Sequence, residues 1–215
     1  MSPEERDAAG RVLAAARAMS AKGLSPGRSG NVSERVARGF VVTPSGLAYD
    51  AIGPDDLVVL SLEGAVLDGA RKPSSEAPFH AAIYRARPEI QAIVHTHSPQ
   101  ATALSCARRP IPAFHYMVAM AGGHAIPCAD YATFGTDALA ESAVRALDGV
   151  RATLLANHGV IALGRTPDAA LALAEEVENL ARQYLALLAS GLTPVVLDEA
   201  EMGRVVERFR HYGQR

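Results

Sequence analysis

Ile90-Gln-Ala-Ile-Val-His-Thr-His97 lies near the middle of the chain. It reads as a strand. Upstream, Ser74 or Ser75 can cap a helix that runs through Ala86 and stops near Pro88. Downstream, Ala101 to Ala107 reads as a short helix. A strand set between two helices is the local unit of an α/β chain.

The same interspersion extends both ways. Ala8, Val12, Ala15, Ala16 and Met19 recur at helical spacing, with Ser2 as cap, Pro3 at the first helical position and Gly23 as the stop. Ser25 to Ser33 reads as a turn-rich loop, too polar for an element. Phe40 to Val42 and Leu57 to Leu60 read as strands; Tyr116 to Ala119 and Ala125 to Pro127 are weaker strand candidates. Thr136 to Leu147 reads as a helix and Ala152 to Asn157 as a strand. Thr166 and Pro167 open a long helix with the stripe Leu171, Ala174, Val177, Leu180, Ala181, Tyr184 and Leu188, closed by Gly191. Asp198 with Glu201 starts a last helix that ends near Gly213. No repeat or linker interrupts the pattern. One α/β domain over residues 1–215 is expected, with helices covering a central sheet.

Composition narrows the function. Two cysteines exclude a disulfide scaffold and a cysteine-rich metal ribbon. Lys+Arg of 21 against Asp+Glu of 23 leaves no basic excess for a nucleic-acid groove, and the absence of Trp argues against base stacking. The charged start, MSPEERDAAGRV, lacks the apolar core of a signal peptide, and the apolar runs are too short for a membrane span. A cytoplasmic protein with no nucleic-acid or membrane partner is expected.

Among the seven histidines, His95 and His97 stand two apart on the strand and so face one side. His158 ends another strand in Asn157-His-Gly159, where Gly159 lets the chain turn sharply. Three neutral imidazoles with an open fourth position describe a catalytic zinc site, although histidines also end strands without binding anything. His80 is most simply a helix residue and His211 a helix-terminus cation; His115 and His124 fall in a loop-like region.

Glu76 follows Lys72-Pro-Ser-Ser75 at a helix start. The hydroxyls and free N–H groups there suit a phosphate, and equally suit ordinary capping. Ser29-Gly-Asn31 and Thr43-Pro-Ser-Gly46 also allow close backbone approach to a ligand. None of the three loops matches a P-loop or a dinucleotide fingerprint. Cys106 and Cys128 read as buried small residues.

Taken together, Ser29 to Ser33, Thr43 to Gly46, Lys72 to Glu76, His95-Thr-His97, Ile111 to Met117, Ala121 to Cys128, Tyr131 to Thr136, Asn157-His-Gly159 and the tail Arg208 to Gly213 resemble the class II aldolase/adducin family. The likeness is strongest to its branch that cleaves L-fuculose 1-phosphate. It implies a three-layer α/β/α fold with a mixed, mostly antiparallel central sheet, and a homotetramer with active sites between neighbouring subunits. It implies one divalent metal per subunit, foremost Zn2+, on His95, His97, His158 and Glu76. Glu76 is also implied as catalytic acid/base, and Tyr116 as a catalytic tyrosine supplied across the interface. Gly30, Asn31, Ser45, Gly46, Ser74 and Ser75 match phosphate-binding positions; Phe134, Phe209 and Tyr212 match an aldehyde pocket. Arg28, Asn157 and His124 depart from the family's threonine, histidine and asparagine at those positions.

The implied reaction splits a ketose 1-phosphate, such as L-fuculose 1-phosphate, 5-deoxyribulose 1-phosphate or 5-methylthioribulose 1-phosphate, into dihydroxyacetone phosphate and an aldehyde. A metal acting as Lewis acid suits a chain whose only lysines are Lys22 and Lys72, neither an obvious Schiff-base former. Epimerase, dehydratase or decarboxylase chemistry occurs in the same family. A non-catalytic adducin-like scaffold would have lost the ligands retained here.

Overall fold

The computed structural model describes residues 1–210. In chain order the elements are α1 (Pro3–Ala21), β1 (Asn31–Val36), β2 (Gly39–Val42), β3 (Val58–Leu60), β4 (Val66–Asp68), α2 (Ala77–Ala86), β5 (Ala92–Thr96), α3 (Pro99–Cys106), β6 (Cys128–Ala129), α4 (Asp137–Ala146), β7 (Ala152–Leu155), β8 (Gly159–Gly164), α5 (Pro167–Ala189) and α6 (Glu199–Arg210). Among the described residues the strands form one sheet, in the order β4-β3-β2-β1-β5-β8-β7-β6. Every pairing is antiparallel except β6 with β7. The fold is thus the expected mixed, mostly antiparallel α/β class.

The period of two along each strand divides the core. Val32, Val94, Val160 and Ala162 pack beneath α1, α3 and α5. Ile93, Leu155, Ile161 and Leu163 point the other way, against Phe79, Ile83 and Tyr84 of α2 and Leu139 and Ala143 of α4. Helices on both faces bury the central strands completely. The register sets Asn31 opposite His95 and Ser33 opposite Ile93, while His95 faces Ile161 on the other side. Three polar side chains therefore enter the sheet at its centre.

Local signals place the helices well. Ser2 accepts from the Glu5 N–H while Glu5 reaches back to Ser2, a reciprocal cap on α1. Thr136 and Thr166 cap α4 and α5 through side-chain oxygens. Asp198 accepts from the Glu201 N–H at the start of α6. That helix's expected end at Gly213, with His211 and Tyr212, lies outside the described residues.

Other expectations are corrected. The loop expected through Ser33 gives way to β1 at Asn31, because its polar side chains Asn31 and Ser33 are buried against other polar groups. Ser74 and Ser75 do not cap α2, which starts at Ala77; Ser74 Oγ instead accepts from the Glu76 N–H. Tyr116 to Ala121 is a 3-10 turn rather than a strand, begun by His115, whose Nδ1 accepts from the Met117 N–H. Pairing near Ala125 shifts onward: Ile126 only bridges Ile111, and β6 begins at Cys128. Cys106 is exposed, since α3 buries Ala101, Leu104 and Ser105 instead, and Cys128 is half-buried. β4 and β8 had no counterpart in the sequence reading.

Candidate active site

β5 delivers His95 from the sheet interior, and His97 follows just past the strand end. His158 sits in the tight connection from β7 to β8. The left-handed residue of that turn is Asn157, at φ 56°, not Gly159. Gly159 is needed for close approach: a Cβ there would lie 2.3 Å from the Thr96 carbonyl oxygen and 3.0 Å from the His97 ring. The Asn157 backbone N–H donates to the Ser105 carbonyl at 3.0 Å, and its Oδ1 accepts from Arg108 Nε at 3.1 Å.

The His95, His97 and His158 rings lie 4.8–4.9 Å apart, centroid to centroid, and 72–78° from coplanar. Their ligating atoms and one Glu76 oxygen all fall within 4.8 Å of one another. His95 Nδ1 donates to the Val160 carbonyl oxygen at 2.8 Å, so in the neutral ring Nε2 carries the lone pair. That Nε2 lies 3.0 Å from His97 Nε2 and 3.1 Å from Glu76 Oε2. Glu76 Oε1 is buried without a hydrogen bond, though 3.0 Å from His158 Nε2. Acceptors crowding one point fit a shared cation, and three imidazoles with a carboxylate are the donor set of a catalytic metal centre.

Electrostatics bind the cluster together. Burial opposes ionisation of Glu76, but the neighbouring His95 and His158 outweigh it and hold the carboxyl well below the usual range. Burial likewise opposes charge on His95, yet Glu76 raises its pKa overall. Burial and the two other rings push His97 down to about 4.

Glu76, His97 and His158 open onto a cavity of about 390 Å³. Gly30, Asn31, Ser45, Gly46, Ser74 and Ser75 line it as well, so the three hydroxyl-bearing loops converge. Backbone bonds stitch the second loop to the third: Ser45 N–H donates to the Lys72 carbonyl and Ser74 N–H to the Thr43 carbonyl. Arg28 ties the first to the second, donating to the Gly46 carbonyl at 3.1 Å. Gly30, at φ 77°, leaves no room for a side chain, because a Cβ would meet Ser25 Oγ at 2.4 Å.

Phe134 joins this cavity, as does Tyr131, which sequence reasoning gave no role although it opens the motif Tyr131 to Thr136. Tyr116 and Phe209 do not. Their rings stack 6.3 Å apart and line a second cavity with Met117, Met120, Arg151, Val205 and Arg208, sharing no residue with the first. Tyr212 lies outside the described residues. His124 is exposed and outside both cavities.

Comparison with known proteins agrees with this geometry. The Class II Aldolase and Adducin N-terminal domain matches residues 10–185. A 5-methylthioribulose-1-phosphate/5-deoxyribulose-1-phosphate aldolase of Rhodospirillum rubrum is 50% identical over 202 residues, 94% of this chain and 90% of that protein. An L-fuculose phosphate aldolase of Escherichia coli K12 is 45% identical over 197 residues, 92% of this chain and 91% of its own length. A solved L-fuculose 1-phosphate aldolase superposes with a TM-score of 0.91 at 39% identity, covering 95% of this chain and 96% of that one. The chain belongs to the class II aldolase and adducin family. Within that family its similar relatives are ketose-1-phosphate aldolases, lyases of carbohydrate metabolism.

Proposed function

We propose that this protein is a metal-dependent aldolase that cleaves a ketose 1-phosphate into dihydroxyacetone phosphate and a short aldehyde. The observation that carries the reading is the convergence of three serine-bearing loops and a three-histidine, one-carboxylate cluster on one cavity. His95, His97, His158 and Glu76 would hold one divalent cation, foremost Zn2+, with Mn2+, Co2+ and Fe2+ accepted by the same donors. Bound there, it supplies Lewis-acid stabilisation of the negative charge left on the substrate.

The chain's own groups do the rest. Gly30, Asn31, Ser45, Gly46, Ser74 and Ser75 hold the phosphate, with Arg28 bracing two of the loops. That grip is remote from the bond that breaks, so its binding energy serves to place the reacting carbons. Tyr116, as the phenolate, takes the proton from the carbon 4 hydroxyl and the bond between carbons 3 and 4 breaks. Glu76, displaced from the cation by substrate and protonated there, gives its proton to carbon 3 and returns to the carboxylate. Tyr116 lines a cavity separate from its own chain's cluster, which supports its supply by a neighbouring subunit of a homotetramer. Phe134 borders the aldehyde end, and Phe209, which stacks on Tyr116, joins it with Tyr212 and that tyrosine from the neighbouring subunit. One domain of this class over residues 1–215 and a cytoplasmic location complete the reading; among the described residues no helix is long and apolar enough to cross a membrane.

The test is a cleavage assay on metal-replete protein with fuculose 1-phosphate, 5-deoxyribulose 1-phosphate and 5-methylthioribulose 1-phosphate. Dihydroxyacetone phosphate release that chelator abolishes is expected, and the ratio of efficiencies names the aldehyde. No release from any of them would move the reading to epimerase, dehydratase or decarboxylase chemistry.

A further inference from the structure

Behind Glu76 and Asn31 runs a buried polar chain whose further members, His80, Ser33 and Tyr84, take no part in the reaction itself. Asn31 Nδ2 donates to Glu76 Oε2 at 2.9 Å. Asn31 Oδ1 lies 2.5 Å from His80 Nε2. His80 Nδ1 lies 2.7 Å from Ser33 Oγ, and Ser33 Oγ lies 2.8 Å from the Tyr84 hydroxyl. Arg35 closes the far end, its guanidinium 4.7 Å above the Tyr84 ring and its Nη2 bonded to the Tyr84 carbonyl oxygen.

With Glu76 ionised and His80 neutral, one arrangement of protons satisfies every link. The ionised Glu76 carboxylate can only accept, so the Asn31 amide must turn its NH2 toward it. Asn31 Oδ1 then faces His80 and needs a donor, which makes Nε2 the protonated nitrogen. His80 is fully buried, with Phe79 stacked on it at 4.7 Å, surroundings that favour a neutral ring. Its Nδ1 is therefore bare and accepts from the Ser33 hydroxyl. Ser33 Oγ in turn accepts from Tyr84, whose phenol burial keeps protonated. Donors point one way along the whole chain, from Tyr84 to Glu76.

We propose that His80 is a positioning residue for the aldolase reaction: its Nε2–H fixes the Asn31 amide, and the amide fixes Glu76. Were the tautomer reversed, Asn31 would turn its oxygen toward the carboxylate, and two acceptors would face each other without a proton between them. The proposal rests on the aldolase reading for its consequence, not for its geometry.

The experiment pairs histidine 15N NMR on zinc-loaded protein with steady-state kinetics of two variants. The His80 resonances, assigned by their loss in His80→Gln, are expected to show a protonated Nε2 and a bare Nδ1. His80→Gln keeps an N–H near the place of Nε2, whereas the shorter His80→Asn does not reach Asn31. His80→Asn should lose about 10- to 100-fold in kcat, the usual scale for a group supporting a metal ligand. His80→Gln should recover most of that loss at equal metal content. A protonated Nδ1 in the wild-type spectrum overturns the proposal, as does an equal kcat loss in both folded variants. If His80→Asn fails to fold, the wild-type spectrum still decides. If wild-type protein releases no dihydroxyacetone phosphate, the aldolase reading falls while the tautomer remains open to measurement.

Discussion

His80 and His95 are both completely buried imidazoles on the α2 side of the sheet, yet they live in opposite kinds of surroundings. His80 has a matched partner on each ring nitrogen, Asn31 on one and Ser33 on the other. His95 is matched only on Nδ1; its Nε2 faces another imidazole nitrogen and a carboxylate. The His80 network is complete with protein atoms alone. The His95 cluster concentrates acceptors on one point, where a cation could complete it. Burial alone thus says little about a histidine; the chemistry of what faces each nitrogen separates a support from a ligand.

Removing a ligand should break that contrast most severely. His97→Ala should lose bound metal, measured by elemental analysis, and at least about 100- to 10,000-fold in kcat/KM. Tyr116→Phe should lose activity in that same range with its metal content unchanged, because it lies apart from the cluster. Glu76→Gln should sharply reduce proton exchange on dihydroxyacetone phosphate; a metal-loaded variant with full exchange would remove Glu76 from the acid role.

Chelation gives a thermodynamic version of the comparison. A metal bound at 100 times its dissociation constant stabilises the fold by about 2.7 kcal/mol. Chelator should therefore lower the melting temperature of the wild type and leave that of His97→Ala nearly unmoved.

The smallest effect lies far from either histidine. Arg38, bonded to the buried Glu5 carboxylate, holds it below its ordinary range against the opposing effect of burial. An acid with a depressed folded pKa stabilises the fold above its unfolded pKa, here about 4.5, and that contribution disappears as pH falls. Glu5→Gln should destabilise the fold modestly at neutral pH and not at all in acid, which flattens the acid limb of a stability-versus-pH curve. A parallel acid limb would show that Glu5 makes no such contribution.

The elements legible in the sequence are those with caps and long periods. α1 and α5 carry Ser2, Pro3, Thr166 and Pro167 at their starts and stripes of five and seven spaced apolar positions, so local signals suffice. β1 was hidden because its inward residues, Asn31 and Ser33, bury against polar partners and so read as a loop. The residues from Tyr116 to Ala121 misled because a six-residue apolar run has no period long enough to separate strand from tight helix. His95 and His97 are legible by their spacing, but the arrival of His158 from another strand is a matter of sheet order, which periodicity does not carry. The His80 chain was missed for the same reason: its four links join α2 to β1, between 45 and 51 residues apart.

The stitched loops have a further meaning. Backbone bonds lock the segment around Thr43–Ser45 to that around Lys72–Ser74, and Arg28 clamps the segment before Gly30 to Gly46. If these loops grip a phosphate as proposed, it would sit at a set span from the imidazoles, and the cavity would work as a ruler measured from one end of the substrate. Such a ruler selects which carbons lie over the cluster by counting from the anchored end, and leaves the opposite end unmeasured. Enzymes built on it can exchange one terminal group for another by altering a few bordering side chains such as Phe134, while the counted half, and the bond it selects, stay the same.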